Sequence, residues 1–225
     1  HLGASTITTR RDLRLLAAKG KIVRTHGGVL HPDALKVEPA FEAKAVEAVE
    51  AKVCIARRVV AEMPERGQVF IDSGTTCLEV GRLLLDRRDL TIVTNSLPLL
   101  QLGAGAKARV VAIGGEIRPV SLALIGDLAL DWLKHLRFDV AVIGASGIDP
   151  IEGPSTTELS EAAVKQLACD RASKRILVSH STKWGAPAAI TFASWKRFNI
   201  FVTDARIPRS AELRREGVSV QIVSP

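Results

Sequence analysis

From about residue 65 onward the chain alternates short apolar runs with amphipathic stretches. Val69-Phe70-Ile71, Thr91-Ile92-Val93, Val110-Val111-Ala112-Ile113, Val140-Ala141-Val142-Ile143, Ile176-Leu177-Val178, Ile200-Phe201-Val202 and residues 218–223 are short, β-branched and apolar on both faces. Such runs suit strands of a parallel sheet covered by helices on both sides. Helical patterns over 77–85, 97–102 and 161–172 separate several of them, and another over 42–62 precedes the first. The expected fold class is α/β, an open, mostly parallel, doubly wound sheet.

The start of the chain follows a different pattern. Ser5 can cap a helix over 6–19 with Ile7, Leu13 and Leu16 as its apolar stripe, and Gly20 can end it. A β-prone run at Lys21-Ile22-Val23-Arg24, the turn pair Gly27-Gly28 and Val29-Leu30 then predict a small hairpin. A helix followed by a hairpin is the second half of a winged helix-turn-helix. Residues 31–40 read as a linker, with Pro32 and Pro39 inside it. The expected organisation is a partial winged helix over 1–30, a linker over 31–40 and an effector-sensing α/β domain over 41–225. The chain opens on His1 and its sole methionine is Met63, so the expectation is that the segment before the recognition helix is missing and that operator binding is weak.

Charge sharpens this division. Arg10, Arg11, Arg14, Lys19, Lys21 and Arg24 stand against Asp12 alone in residues 1–30, a net +5 of the chain's +7. A local cationic excess suits a polyanion such as DNA. The apolar runs fall far short of the roughly 20 residues needed to span a bilayer. Cys54, Cys77 and Cys169 are isolated, without metal-site or disulfide spacing. The expectation is a cytoplasmic protein with no cofactor, no metal and no membrane contact.

In doubly wound sheets, ligands bind beyond the carboxyl ends of the strands. Those ends carry Asp72-Ser73-Gly74-Thr75-Thr76, Thr94-Asn95-Ser96, Gly114-Gly115 followed by Arg118, Gly144-Ala145-Ser146-Gly147 and Ser179-His180-Ser181-Thr182-Lys183. Hydroxyls, glycines and helix starts favour an anion. One such loop is a common helix cap, whereas five on successive strand ends share a rim. Donors outnumber carboxylates there, which points to a small phosphorylated, hydroxylated ligand. The glycine patterns of dinucleotide and ATP sites are missing.

These motifs carry a resemblance. Residues 5–13, Gly20 and Arg24-Thr25-His26-Gly27-Gly28 resemble the recognition helix and wing of DeoR-family repressors. Phe41-Glu42-Ala43-Lys44, the Asp72 loop, Thr94-Asn95-Ser96, Gly114-Gly115, Gly126, Gly147-Ile148-Asp149 and Glu161-Ala162-Ala163-Val164-Lys165 follow in that family's order. The resemblance implies a sensor similar to ribose-5-phosphate isomerase and glucosamine-6-phosphate deaminase that binds sugar phosphates without turning them over. Three positions depart from the pattern: Lys44 stands where the family usually has arginine, Thr9 where it has isoleucine or valine, and His180 where it has aspartate.

For DNA the candidates are Thr6, Thr8, Thr9, Arg10 and Arg11 on the helix and Arg24 and His26 on the wing. Arg14, Lys19 and Lys21 read better as a solvated face. For the effector they are Asp72, Ser73, Gly74, Thr75, Thr76, Thr94, Asn95, Ser96, Gly114, Gly115, Gly144, Ser146, Glu161, Lys165 and Lys183. Glu161 and Lys165 could equally form a surface i,i+4 ion pair. The expected function is a transcriptional repressor of sugar or polyol metabolism, controlled by a phosphorylated sugar or polyol. Operator DNA and a second copy, as dimer or tetramer, are the expected partners. The alternative is a sugar-phosphate isomerase or deaminase, which needs Asp72 or Glu161 as a free acid or base; an acyl-coenzyme-A transferase lacks a placed catalytic glutamate.

Overall fold

The computed structural model describes residues 15–16, 23–25, 28–30 and 38–224. Most of the expected recognition helix lies outside them, with Thr6, Thr8, Thr9, Arg10, Arg11 and His26; so do Gly20, Gly27 and most of the linker. The chain divides into two compact units, His1–Glu38 and Pro39–Pro225.

In the first unit Leu15 and Leu16 are helical and exposed. The strands β1 (Val23–Thr25) and β2 (Gly28–Leu30) pair antiparallel, with Arg24 opposite Val29. This is the hairpin that the sequence predicts.

The second unit is built on one seven-stranded sheet. Its strands are β3 (Gly67–Ile71), β4 (Leu90–Thr94), β5 (Arg109–Ala112), β8 (Phe138–Gly144), β11 (Ala172–Val178), β13 (Ile200–Thr203) and β14 (Ser219–Ile222), in the order β14-β13-β11-β8-β3-β4-β5. All neighbours run parallel, and every one of the seven apolar runs supplies a strand. The sheet is α/β and doubly wound as expected. Connections run outward in both directions from β3 and β8, which makes the gap between these two the topological switch point.

Alternation of side chains splits the apolar runs between two cores. Val69, Ile71, Val140, Val142, Ile176 and Val178 face one side, where they meet Ile55, Val59, Leu78 and Leu84 of α2 (Val49–Val60) and α3 (Thr75–Leu84). Phe70, Ala141, Ile143 and Leu177 face the other, against Leu133, Val164 and Ala168 of α5 (Asp127–His135) and α6 (Leu159–Asp170). Both faces are apolar because both are covered.

The structure corrects two expected boundaries. The helix predicted over 42–62 is broken into α1 (Phe41–Ala45) and α2, with Ala48 left-handed at φ 47° ahead of α2. The break is stabilised locally, because the carbonyl of Lys44, freed at the end of α1, accepts a hydrogen bond from the buried Lys52 ammonium. The helix predicted over 161–172 stops at Asp170, and Ala172 already belongs to β11.

Two small sheets add features that no periodicity announces. A hairpin of β6 (Glu116–Arg118) and β7 (Ala123–Ile125) caps the end of β4: the Leu124 amide donates to the Asn95 carbonyl and the Leu97 amide to that of Leu122. A three-stranded sheet of β9 (Gly147–Asp149), β10 (Gly153–Thr156) and β12 (Ile190–Thr191) lies beyond β8. Gly147 is required there, since a Cβ on it would stand 2.1 Å from the Ala186 carbonyl oxygen.

Candidate functional site

The loops that end β3, β4, β5, β8 and β11 lie along one edge of the sheet, as parallel pairing demands. Their centre is the switch point. Asp72 follows β3 and is fully buried. Its Oδ2 accepts from the Gly144 amide at the end of β8 (3.0 Å) and from Lys165 Nζ (2.5 Å). Lys165 also donates to the Gly144 carbonyl (3.3 Å) and lies over the Phe192 ring. Burial pushes the Asp72 carboxyl above its ordinary range, a push that the Lys165 ammonium and the Gly144 amide reduce. Burial pulls the Lys165 ammonium down, but Asp72 and Glu161 more than offset it, so its pKa ends above the usual lysine value. We treat the pair as ionised, because contact at 2.5 Å with a second donor on the same oxygen favours the charged forms.

Glu161 sits one turn before Lys165 on α6, and the two are not a surface pair. Each is 4% exposed, and each has its own partner. Glu161 accepts from Arg118 Nη1 of β6 (3.2 Å) and from Thr156 Oγ1 of β10 (2.9 Å). Arg118 also holds Ser121 Oγ. The hairpin and the small sheet thus serve to bring Arg118 and Thr156 onto α6.

Lys183 lies on a single 3₁₀ turn after β11 (Ser181–Lys183). Asp204, at the end of β13, anchors that turn by accepting from the Ser181 amide (2.5 Å) and hydroxyl (3.3 Å). The turn presents Lys183 Nζ to the Ala145 carbonyl at 2.5 Å. Burial first, then Lys44, Lys52 and Lys165, bring the Lys183 pKa down to about 8. Lys52 is 2% exposed, and burial lowers its pKa although Glu47 and Glu79 oppose the shift. Among the described residues, Lys52 and Lys183 hydrogen-bond only backbone carbonyls and neither has a carboxylate partner.

The remaining candidates divide by what their polar atoms already do. Thr94 Oγ1 donates to the Ile71 carbonyl (2.6 Å) and accepts from the Ser96 amide, while Ser96 Oγ caps α4 (Leu97–Gly103) at the Leu99 amide. Asn95 between them is 1% exposed, and among the described residues its Oδ1 has no donor; Asp72 Oδ1 is in the same condition. Ser73, Thr75 and Thr76 are buried at the start of α3, where Gly74 turns at φ 109° with open space where a Cβ would be. Gly144 approaches Cys77 Sγ, Ser73 O and Asp72 Oδ2 within 4 Å of an added Cβ. Gly115 is demanded by packing, since a Cβ would meet the Ile125 carbonyl oxygen at 2.3 Å; Gly114 has room. Ser146 donates its amide to the Ser155 carbonyl.

His180 is 5% exposed, with Nδ1 2.7 Å from Thr182 Oγ1. Burial and the nearby Lys183 and Lys52 hold its pKa down to about 4, so the ring is neutral. A histidine pKa depressed from 6.5 to about 4 contributes stability that is complete above pH 6.5 and is lost as pH falls toward 4. We expect the chain to lose about 2 kcal/mol from this group between pH 7 and pH 5. Urea melts at the two pH values should show a smaller loss in His180→Asn; equal losses would contradict the assignment.

Pattern reading did not single out Lys52, Thr156 or Asp204. Lys52 had a signal: with Ile55, Ala56 and Val59 it occupies the apolar stripe of α2, a place where a lysine is out of pattern. Glu161 and Lys165 share that signature on α6 with Val164 and Ala168. Thr156 and Asp204 had none.

A basic N-terminal unit with a wing hairpin, joined to an α/β unit with a polar switch-point site, defines a DNA-binding transcriptional regulator with a sensor unit. Residues 47–205 match the DeoR C terminal sensor domain, and residues 1–34 match the DeoR-like helix-turn-helix domain. The chain belongs to the DeoR family. It is 34% identical to the HTH-type transcriptional regulator GlpR of Haloferax volcanii, over 99% of this chain and 88% of that protein. It is 33% identical to the glycerol-3-phosphate regulon repressor of Escherichia coli strain K12 (93% and 83%) and 31% identical to the HTH-type transcriptional repressor CsqR of the same strain (100% and 86%). Among solved structures, a ribose-5-phosphate isomerase in complex with phospho-erythronic acid aligns with TM-score 0.46 at 18% identity, over 60% of this chain and 54% of the other. No described helix is long and apolar enough to cross a membrane.

Proposed function

We propose that the chain is a cytoplasmic repressor of sugar or polyol genes whose operator affinity is set by a phosphorylated sugar or polyol bound at the switch point. One observation carries this reading. Among the described residues, the site holds two ammonium groups with no carboxylate in hydrogen-bond contact, Lys52 and Lys183, and two buried acceptors without a donor, Asp72 Oδ1 and Asn95 Oδ1. Unpaired buried charge and unmet acceptors are both costly. A phosphate supplies the anion and sugar hydroxyls supply the donors, so one ligand class answers both needs. The amides at the start of α3, around Gly74 and Thr75, face the same edge and add anion-binding capacity. The names of the relatives point the same way, one being a glycerol-3-phosphate regulon repressor.

The geometry speaks against catalysis. A sugar-phosphate isomerase needs a free carboxylate as base. Here Glu161 is engaged at both oxygens by Arg118 and Thr156. The Asp72 charge is paired through Oδ2 with Lys165 and the Gly144 amide, which leaves its Oδ1 as an acceptor for a ligand hydroxyl rather than a free carboxylate. In our reading the ligand changes the arrangement of a homo-oligomer, and so the spacing at which paired recognition helices meet the operator. Thr6, Thr8, Thr9, Arg10, Arg11, Arg24 and His26 remain the proposed DNA contacts.

The test uses thermal melts and gel shifts on promoter DNA flanking the chain's own gene. The compounds are glycerol 3-phosphate, ribose 5-phosphate, fructose 1-phosphate and their unphosphorylated parents. At least one phosphorylated compound should stabilise the chain, by about 2.7 kcal/mol at a hundredfold excess over its Kd, and should change DNA binding at the same concentration. Stabilisation by the unphosphorylated parents alone, or by none, would overturn the reading.

A further inference from the structure

The helical pattern over 42–62 is unbroken in sequence, yet the chain folds there as α1 and α2. Ala43, Ala45, Ala48 and Ala51 are strong helix formers, and neither glycine nor proline lies between Glu42 and Glu62. Ala48 nevertheless stands at φ 47°, a conformation that is costly for a residue with a Cβ and persists only where its surroundings impose it. The α1 helix itself is five residues long with no side-chain cap, too short to stand alone. Two fastenings impose the break. The Phe41 amide donates to the Val120 carbonyl in the β6–β7 turn (2.9 Å), with the Phe41 ring buried in the core. The Lys52 ammonium donates to the Lys44 carbonyl. In a straight helix residues 44 and 52 would lie about 12 Å apart along the axis, too far for that bond. Local propensity thus favours one state and the tertiary contacts another.

The two states differ in the charge they gather at the site. Burial lowers the pKa of both Lys52 and Lys183, and the Lys44 charge lowers both further, so the break sets Lys44 among them. Three ammonium groups brought together repel one another, and an anion among them reverses the sign. Straightening would carry Lys44 along the helix axis, away from Lys52. We propose that residues 41–49 form a two-state junction, broken or continuous, and that an anion held at the Lys52–Lys183 edge shifts its balance toward the break. Such a shift needs a ligand that interacts differently with the two states, and the gathered lysines supply the difference. Residues 1–34 match the DNA-binding domain, and the second unit begins at Pro39, so this junction is its first element. Ligand binding is thereby converted into the direction in which the chain enters the sensor unit. The inference rests on the phosphate reading of the site and adds the part that moves.

Two variants at residue 48, outside the residues assigned to the ligand, bias the junction in opposite directions. Ala48→Gly removes the left-handed cost and weakens the continuous helix. Ala48→Val raises that cost, because a β-branched residue is a rare outlier there. The probes are inorganic phosphate, glycerol 3-phosphate, ribose 5-phosphate and fructose 1-phosphate, each titrated calorimetrically into the full chain. For a probe that binds the wild type, Kd should be about two- to fivefold lower in Ala48→Gly and at least about fivefold higher in Ala48→Val. Only the share of chains already broken is ready to bind, which sets this order. Far-UV circular dichroism reports whether each variant folds. Melting temperatures follow the same order even for a rigid break, so affinity is the deciding readout. Equal or reversed Kd values in the three folded proteins overturn the junction and leave the effector reading intact. A wild type that binds none of the probes overturns both.

Discussion

Replacing Lys165 by methionine should lower the unfolding free energy of the chain by about 3–5 kcal/mol, the usual result of removing one partner from a buried ion pair. The reason lies in Asp72. It is fully buried, and its Oδ2 relies on Lys165 and the Gly144 amide. Without the ammonium, burial pushes the Asp72 carboxyl further above its ordinary range, and the protein must either carry an unpaired charge or take up a proton. The damage therefore depends on pH. A carboxyl whose folded pKa is raised costs stability once pH exceeds the pKa it has when unfolded, so Lys165→Met should be less destabilised at pH 5 than at pH 7.5. The double change Asp72→Asn with Lys165→Met should cost less than the two single changes summed, because both act on one pair. Urea melts of the four proteins test this. A loss below about 1 kcal/mol in Lys165→Met, within the ordinary range of point substitutions, would mean that the pair is not a unit.

Lys52→Met and Lys183→Met should both lose effector binding. Lys183→Met should keep or gain stability, whereas Lys52→Met should lose a little, because it removes the donor to the Lys44 carbonyl at the α1–α2 break. Both lysines carry charge into the site edge with only carbonyl partners. Removing such a charge relieves desolvation, whereas a phosphate bound there loses a charge-assisted hydrogen bond worth about 1.5–3 kcal/mol. The expected weakening is about 10–150-fold for each variant, read by titration with whichever phosphorylated compound stabilises the wild type. Wild-type affinity should also fall as pH rises above 8, since Lys183 has a pKa of about 8 and only its charged form attracts the anion. That slope should disappear in Lys183→Met. Variants that melt lower and bind normally would reassign both lysines to the scaffold.

The sheet was legible in the chain because strands covered on both faces leave uninterrupted β-branched runs. All seven were readable for that reason, from Val69-Phe70-Ile71 to 218–223. The small strands were not. β6, β9 and β10 contain Glu116, Gly147, Gly153 and Pro154, residues that interrupt the β-branched apolar run by which the larger strands are read. The break at Ala48 was equally hidden, since alanine is a strong helix former and only the Lys52 side chain, reaching back to Lys44, reveals why the helix restarts. At the site, position along the strand ends was readable but occupancy was not. Thr94, Asn95 and Ser96 look alike as a hydroxyl-rich turn, yet two spend their oxygens on the backbone and the third is left open. Such differences depend on which neighbour lies within 3 Å, and sequence spacing carries no record of it.

The bond from the Gly144 amide to Asp72 joins residues 72 positions apart. Neither side of that gap can assemble the pocket alone. Everything from β3 to β5, with the β6–β7 hairpin and α5, must be in place or looped out before β8 can reach β3. Long-range parallel pairing of this kind is slow, because loop closure precedes any gain from contact. The ligand pocket is therefore also the seam at which two halves of the nascent sheet meet. A compound that fastens Asp72 to the β8 end would act on newly made chains as a folding clamp, favouring completed protein over half-joined intermediates.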